Sequence, residues 1–172
     1  MRRALIAATL VAATAVGCAS TPRTTFPPLG ATPGAAGDLT DATEATVIAA
    51  LAGVGLPAAE ATRPYRPPEG PLFTAAPRTV IQVTLPDDPT HGFVMIYAFP
   101  STQAAEAAAA DDAAFISSNQ GGIFPHGSRF VLRIVGSTVV SFWWIPDTAV
   151  DPRTRQIEEA LLGVGSEVPI PG

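Results

Sequence analysis

The sequence predicts an α+β domain in which an antiparallel sheet of four to five strands carries helices packed on one face. Segments of alternating apolar and polar residues come in hairpin-like pairs, and segments with helical periodicity lie before, between and after these pairs. Hairpins connected through helices are typical of antiparallel α+β sheets. We expect this single domain to span residues 40–165 of the 172-residue chain, followed by a loose tail over 166–172.

The first helix is predicted over 41–52, because Asp41 and Glu44 form a D-x-x-E start signal and Gly53 follows the last apolar position of the helical pattern. A short edge strand around 60–63 is an open alternative in the ambiguous stretch that follows. The Pro-rich segment, residues 63–78, contains five prolines, which exclude a central strand or a helix there.

Two strands and a long helix follow the Pro-rich segment. Apolar residues alternate with polar ones over 79–85, which predicts a strand, and a Pro- and Asp-containing turn leads to the next strand at 93–99. That second strand is apolar on both faces and is therefore expected at the centre of the sheet. An Ala-rich helix, capped by Ser101 or Thr102, is predicted to end near Ser117.

The clearest hairpin joins strands at 129–135 and 138–145 through Gly136-Ser137, where a Gly at the first loop position suits a type II′ turn. Asp151-Pro152 resembles an N-cap followed by proline at the first helical position, which predicts a last helix that ends at Gly163.

A two-residue loop sets the register of this hairpin and places its two tryptophans on opposite faces. Arg129 then opposes Trp144, as a predicted cation–π pair, and Trp143 lies on the apolar face with Phe130 and Leu132. A three-residue loop would exchange the two tryptophans, but it would place Thr138 where such loops prefer Gly.

The face that carries the arginines is too apolar to be fully hydrated, and two interpretations are open. The Pro-rich segment, with Tyr65, Leu72 and Phe73, could lie across this face and bury it. Alternatively, the face is an exposed surface for a protein partner or a small ligand. The candidate binding residues on it are Trp144, Arg129, Arg133 and Phe142.

The N-terminus has the pattern of a secretory signal. Arg2 and Arg3 precede an uncharged apolar run over 4–16, which is too short to cross a bilayer comfortably as a permanent helix. The run ends in Ala15-Val16-Gly17-Cys18, which resembles the lipobox of bacterial lipoproteins, although Ala15 departs from the preferred Leu. A short membrane-anchor helix and a buried N-terminal helix are the alternatives.

The resemblance to lipoproteins implies that residues 1–17 are a cleaved signal peptide and that the thiol of Cys18 carries a diacylglyceryl group. The protein is then anchored by lipid to the extracytoplasmic side of a cell membrane, inner or outer. Residues 18–39, rich in Pro, Gly and Thr, are expected to form a flexible tether. Residues 40–163 also resemble, in pattern alone, a group of small Ala-rich bacterial lipoproteins with no assigned activity.

Charge and motifs exclude several function classes. All ten basic side chains are Arg, and the net charge of −5 becomes −7 once the signal peptide is removed, which argues against a nucleic-acid partner. The absence of Lys excludes a P-loop and Schiff-base chemistry, and the chain contains no G-x-S-x-G, H-E-x-x-H or dinucleotide-binding motif. We therefore expect no catalytic residue and no cofactor.

The residues closest to a metal-ligand cluster are Asp87, Asp88 and His91. Pro86 and Pro89 bracket the aspartates in a loop, where Asp and Gly are expected for turn formation, so we expect no metal site.

These observations predict a lipid-anchored extracytoplasmic lipoprotein that acts as a non-enzymatic binding or envelope-associated module, whose partner beyond the membrane is not specified. The alternative is a small-ligand-binding or transporter-accessory domain with a pocket between sheet and helices. A cavity lined by Trp144, Arg133 and Tyr65 would favour this alternative.

Overall fold

A computed structural model of the chain describes residues 37–171, so the predicted signal peptide, Cys18 and most of the predicted tether lie outside the described residues. The elements in chain order are α1 (Gly37–Gly53), β1 (Ala58–Glu60), α2 (Pro71–Ala75), β2 (Arg78–Val83), β3 (Phe93–Ala98), α3 (Thr102–Ser118), β4 (Arg129–Val135), β5 (Thr138–Trp144), a 3₁₀ turn (Pro146–Thr148), α4 (Thr154–Leu161) and β6 (Ser166–Glu167).

The described residues form one antiparallel sheet of six strands in the order β1-β2-β3-β5-β4-β6. The predicted α+β class is confirmed, and the sheet has one strand more than the upper limit of the prediction. Strand β3 lies near the centre with all six residues buried, as its two apolar faces predicted.

The prediction that the helices pack on one face is wrong. Helices α1 and α4 pack on one face of the sheet, around Val47, Val140 and Ile157, which we call the α1/α4 face. Helices α2 and α3 pack on the opposite face, around Phe73 and Tyr97, which we call the α2/α3 face. The physical reason is that the central strands present apolar side chains in both directions, and both sets must be removed from water.

The Pro-rich segment contains the short helix α2, although its prolines were expected to exclude one. Pro71 is the first residue of that helix, a position where the missing N–H of proline costs nothing. Phe73 anchors the helix in the core of the α2/α3 face. The segment therefore covers the face that carries Trp143, and the expectation that it lies across the Arg129–Trp144 face is wrong.

The register of the β4–β5 hairpin is as predicted. Arg129 pairs with Trp144 and Val135 with Thr138, so the loop has two residues and the three-residue alternative is excluded. Gly136 has a φ of 59°. Ser137 has a negative φ, since no described residue other than glycine has a positive one. A positive φ at the first loop position followed by a negative φ at the second is the pattern of a type II′ turn.

Several element boundaries differ from the prediction, and the short edge strand expected around 60–63 lies at Ala58–Glu60 as β1. Helix α1 begins at Gly37, inside the predicted tether, and α4 begins at Thr154, after a turn in which Asp151 accepts a hydrogen bond from the backbone of Arg153 at 2.9 Å. The tail is ordered in part, because β6 pairs with β4 and the Val168 N–H donates to the carbonyl of Leu132.

Candidate functional site

Two of the four residues proposed for a binding surface are buried beneath the helices of the α1/α4 face. Phe142 belongs to the core of that face. The guanidinium of Arg133 is also buried, and it donates from Nε to the carbonyl oxygen of Val164 at 2.7 Å and from Nη2 to that of Gly165 at 2.9 Å. Arg133 therefore stabilises the fold from inside, whereas Phe142 packs in the core and also lines the pocket described below.

The other two residues, Arg129 and Trp144, share a carboxylate instead of forming the predicted cation–π pair. Arg129 Nε donates to Glu158 Oε2 at 2.9 Å, and Trp144 Nε1 donates to the same oxygen at 2.8 Å. Burial acts to raise the pKa of Glu158, but the hydrogen bonds from Arg129 and Trp144 outweigh it and hold this pKa below its usual value. Glu158 thus ties helix α4 to the end of the hairpin.

Trp144 also lines a pocket of about 200 Å³. The pocket lies where the start of β3 meets the end of β5, between the β2–β3 turn, the Pro-rich segment and the start of α4. We call it the aromatic pocket. Its functionally relevant lining residues are Tyr65, Asp88, His91, Phe93, Trp143 and Trp144.

The antiparallel pairing of β3 with β5 brings the aromatic side chains of the pocket together. Phe93 is the first residue of β3, and Trp143 and Trp144 are the last two residues of β5. Tyr65, from the Pro-rich segment, stacks on Phe93 with 4.2 Å between the ring centroids and 12° between the planes. Both tryptophans of the chain therefore lie at one site.

Trp143 lies between the pocket and the core. Its side chain faces the core, as predicted. Its ring lies 5.6 Å from that of Phe124 and 6.4 Å from that of Phe130. Its indole N–H is buried and has no hydrogen-bond partner among the described residues. Burial raises the pKa of Tyr65, so this phenol remains neutral at physiological pH.

The polar side of the pocket comes from the turn between β2 and β3. Asp88 is buried, and its Oδ1 lies 2.5 Å from Nδ1 of His91, whose imidazole is 70% exposed. Thr90 donates a longer hydrogen bond, of 3.4 Å, to the same Asp88 oxygen. The turn thus places one buried carboxylate and one accessible imidazole against an aromatic wall.

The turn is held in place by Asp151, which lies just before α4. The backbone N–H of Asp87 donates to the Asp151 carboxylate at 3.2 Å. Hydrogen bonds from Arg153 hold the pKa of Asp151 at about 2, so this carboxylate is ionised over the whole physiological range. The Asp87 carboxylate lies 3.9 Å from Arg153 and does not join Asp88 and His91. Within residues 37–171 no three His, Cys, Asp or Glu side chains are grouped as a metal site would need.

A second buried polar cluster, which the sequence did not indicate, fixes the Pro-rich segment on the α2/α3 face. Glu69 accepts hydrogen bonds from Arg78 Nη1 at 2.8 Å and from the Tyr97 hydroxyl at 2.5 Å. The backbone N–H of Gly70 donates to Asp112 at 2.7 Å. Burial raises the pKa of Asp112 to about 6, and burial likewise raises the pKa of Tyr97.

This cluster positions the aromatic pocket and is not itself a binding site. The void beside it measures about 10 Å³, roughly the space of one water molecule. Its effect is to hold the segment that carries Tyr65.

The sequence-based expectations capture the pocket only in part. Two of the three residues named for a ligand cavity, Tyr65 and Trp144, do line it, whereas Arg133 does not. Asp88 and His91 had been singled out only as weak metal ligands, and nothing local in the sequence connects their turn to two tryptophans some fifty residues later.

Comparison of the chain with protein-family models, curated proteins and solved structures finds no match. Within the described residues, every helix is too short or too polar to span a bilayer.

Proposed function

We propose that this protein is a lipid-anchored extracytoplasmic binding module, without catalytic activity, that holds a small ligand in the aromatic pocket. The pocket is the observation that carries this proposal. Ligand sites are concave and mainly apolar, with a few polar groups that orient the ligand, and the aromatic wall with Asp88 and His91 has this composition. Of the two functions that the sequence leaves open, the pocket favours the small-ligand-binding or transporter-accessory domain.

Recognition explains the polar groups of the pocket better than catalysis does. A reaction needs at least two groups that converge on the reacting atoms, such as a nucleophile with a base. Asp88 is engaged by His91, and the imidazole of His91 is largely exposed to solvent. Asp88 and His91 are therefore placed to orient a ligand by hydrogen bonds at the mouth of the pocket.

The test of ligand binding uses the intrinsic fluorescence of the protein, because both tryptophans line the pocket. A library of small fragments is titrated into the full-length protein and into two variants. Ala149→Phe adds a ring at a residue that lines the pocket, and Val150→Phe is its matched control, since Val150 is exposed and does not line the pocket. Denaturant melts verify that both variants fold.

We expect fragments that bind the wild-type protein and Val150→Phe but not Ala149→Phe. Fragments that bind Ala149→Phe as tightly as the wild-type protein, or the absence of any binding fragment, would contradict the proposal.

The anchor is tested separately at Cys18. We propose that Cys18→Ser abolishes lipidation and that the protein then accumulates as an unprocessed precursor, because the lipobox resemblance assigns the modified thiol to Cys18. Metabolic labelling with a fatty-acid analogue measures this directly. Label on the Cys18→Ser protein equal to that on the wild-type protein would refute the lipid anchor.

A further inference from the structure

We infer that the ligand of the aromatic pocket is a small organic cation: an amine or quaternary ammonium with a compact apolar body. The inference rests on the proposed function, since it names the chemical class that the same pocket binds.

The aromatic wall is the first argument for a cation. Aromatic rings present a negative face, and a cation over that face is attracted most strongly by tryptophan. Tyr65, Phe93, Trp143 and Trp144 all line the pocket. A volume of about 200 Å³ accommodates a trimethylammonium group with a short tail and is too small for most larger ligands.

The carboxylate on the polar side of the pocket also favours a cation. Both side-chain hydrogen bonds that Asp88 accepts within the described chain end on Oδ1, which leaves Oδ2 for a ligand. Asp88 supplies the one carboxylate among the described lining residues of the pocket. A carboxylate at the pocket favours a cationic ligand over an anionic one.

Among the described residues, no uncompensated arginine lies at the pocket, which is a further feature that favours a cation. None of the described lining residues is Arg, and the chain contains no Lys. Arg153 precedes Thr154, which lines the pocket, but its guanidinium binds the Asp151 carboxylate. Asp151 also accepts from the Arg153 backbone at the start of α4, so the positive end of that helix faces a fixed anion.

The test compares choline with 3,3-dimethylbutan-1-ol, which has the same shape but a carbon atom in place of the charged nitrogen. Binding to the full-length protein in a maltoside detergent is measured by isothermal titration calorimetry and by tryptophan fluorescence. We expect choline to bind at least about tenfold more tightly than the neutral alcohol, because only choline gains the attraction of the rings and of Asp88.

Variants locate the source of the preference. Asp88→Asn keeps the shape of the side chain and removes its charge, and we expect it to weaken choline binding severalfold while alcohol binding stays unchanged. Glu159→Gln makes the same charge change at an exposed position outside the pocket and should alter neither.

Two results would overturn the inference. If the alcohol binds as tightly as choline, the ligand class is wrong, while binding in the pocket itself stands. If neither compound binds at tens of millimolar, the cation class is also wrong, and the fragment titration with Ala149→Phe decides independently whether the pocket binds ligands at all.

Discussion

At the scale of single residues, Gly165 shows how closely the C-terminal segment approaches the sheet. Its φ is +55°, and a Cβ atom built there would lie 2.1 Å from the carbonyl oxygen of Ile134. A side chain at this position would be strained by its backbone angle and would push β6 away from β4. Only glycine fits here, and Arg133 uses the carbonyl of this same residue as a hydrogen-bond acceptor.

We expect Gly165→Ala to lower the free energy of unfolding by at least about 2 kcal/mol, from the left-handed backbone and the clash together. Gly163→Ala is the matched control, because its Cβ would lie in ordinary contact, 3.6 Å from the carbonyl oxygen of Ala160, at an ordinary φ. Urea melts of both variants measure the difference. Equal stabilities would mean that the chain does not approach the sheet at Gly165.

The two neighbouring tryptophans test whether both faces of the sheet are covered. Trp143 packs against Phe124 and Phe130, and Trp144 packs on the α1/α4 face and donates to Glu158. Loss of a packed Trp side chain costs about 3–5 kcal/mol, and somewhat less for half-buried rings such as these. We expect denaturant melts to show that Trp143→Ala and Trp144→Ala are each destabilised by at least about 2 kcal/mol. A Trp144→Ala protein as stable as the wild type would contradict the finding that Trp144 is packed beneath the helices of the α1/α4 face.

At the scale of elements, Asp112 links helix α3 to the Pro-rich segment through the N–H of Gly70. Burial, together with the nearby charges of Glu69 and Asp111, raises the pKa of Asp112 to about 6 in the folded protein, from an ordinary value of 3.8. The folded state therefore holds this proton more tightly than the unfolded chain does. The protonated carboxyl of Asp112 contributes fully to the free energy of unfolding below about pH 4, and this contribution falls progressively as the pH rises to about 6.

We expect Asp112→Asn to remove this pH dependence, because the amide oxygen still accepts from Gly70 and carries no charge. Relative to the wild-type protein, the free energy of unfolding of the variant should rise by about 2 kcal/mol between pH 4 and pH 7. Urea melts across this range measure it, with Glu106→Gln as the control, because Glu106 is exposed on the same helix and is not among the causes of the raised pKa of Asp112. A constant difference between Asp112→Asn and the wild type would show that Asp112 is not protonated preferentially in the fold.

The elements also show which parts of the fold a sequence can predict. The register of the β4–β5 hairpin was predictable, because a two-residue loop with Gly136 depends only on local backbone chemistry. The helices on both faces were not, because which helix covers which face depends on contacts between distant segments. The buried carboxylate cluster around Glu69 was missed for the same reason, since its partners are up to 42 residues apart.

At the scale of the whole molecule, the aromatic pocket results from three distant segments that the sheet brings together. Tyr65 was expected to lie beside Trp144 on the Arg129–Trp144 face, which the Pro-rich segment does not cover. Both side chains nevertheless line the pocket, because the pocket lies at the open end of the strands, where side chains from either face can meet. Asp88 and His91 are explained locally by turn chemistry, so their sequence context carries no sign of a ligand site. Only the pairing of β3 with β5 places them against the tryptophans.

A small ligand in this pocket changes the surroundings of both tryptophans, so the NMR signals of their indole N–H groups report its binding. The measurement is a ¹H–¹⁵N NMR titration of the full-length protein with choline and, in parallel, with the tightest-binding fragment. We expect both indole signals to shift with one common dissociation constant, since Trp143 and Trp144 line the same pocket. Indole signals that stay in place while either compound demonstrably binds, or that move with neither compound, would contradict the proposal that this pocket binds a small ligand.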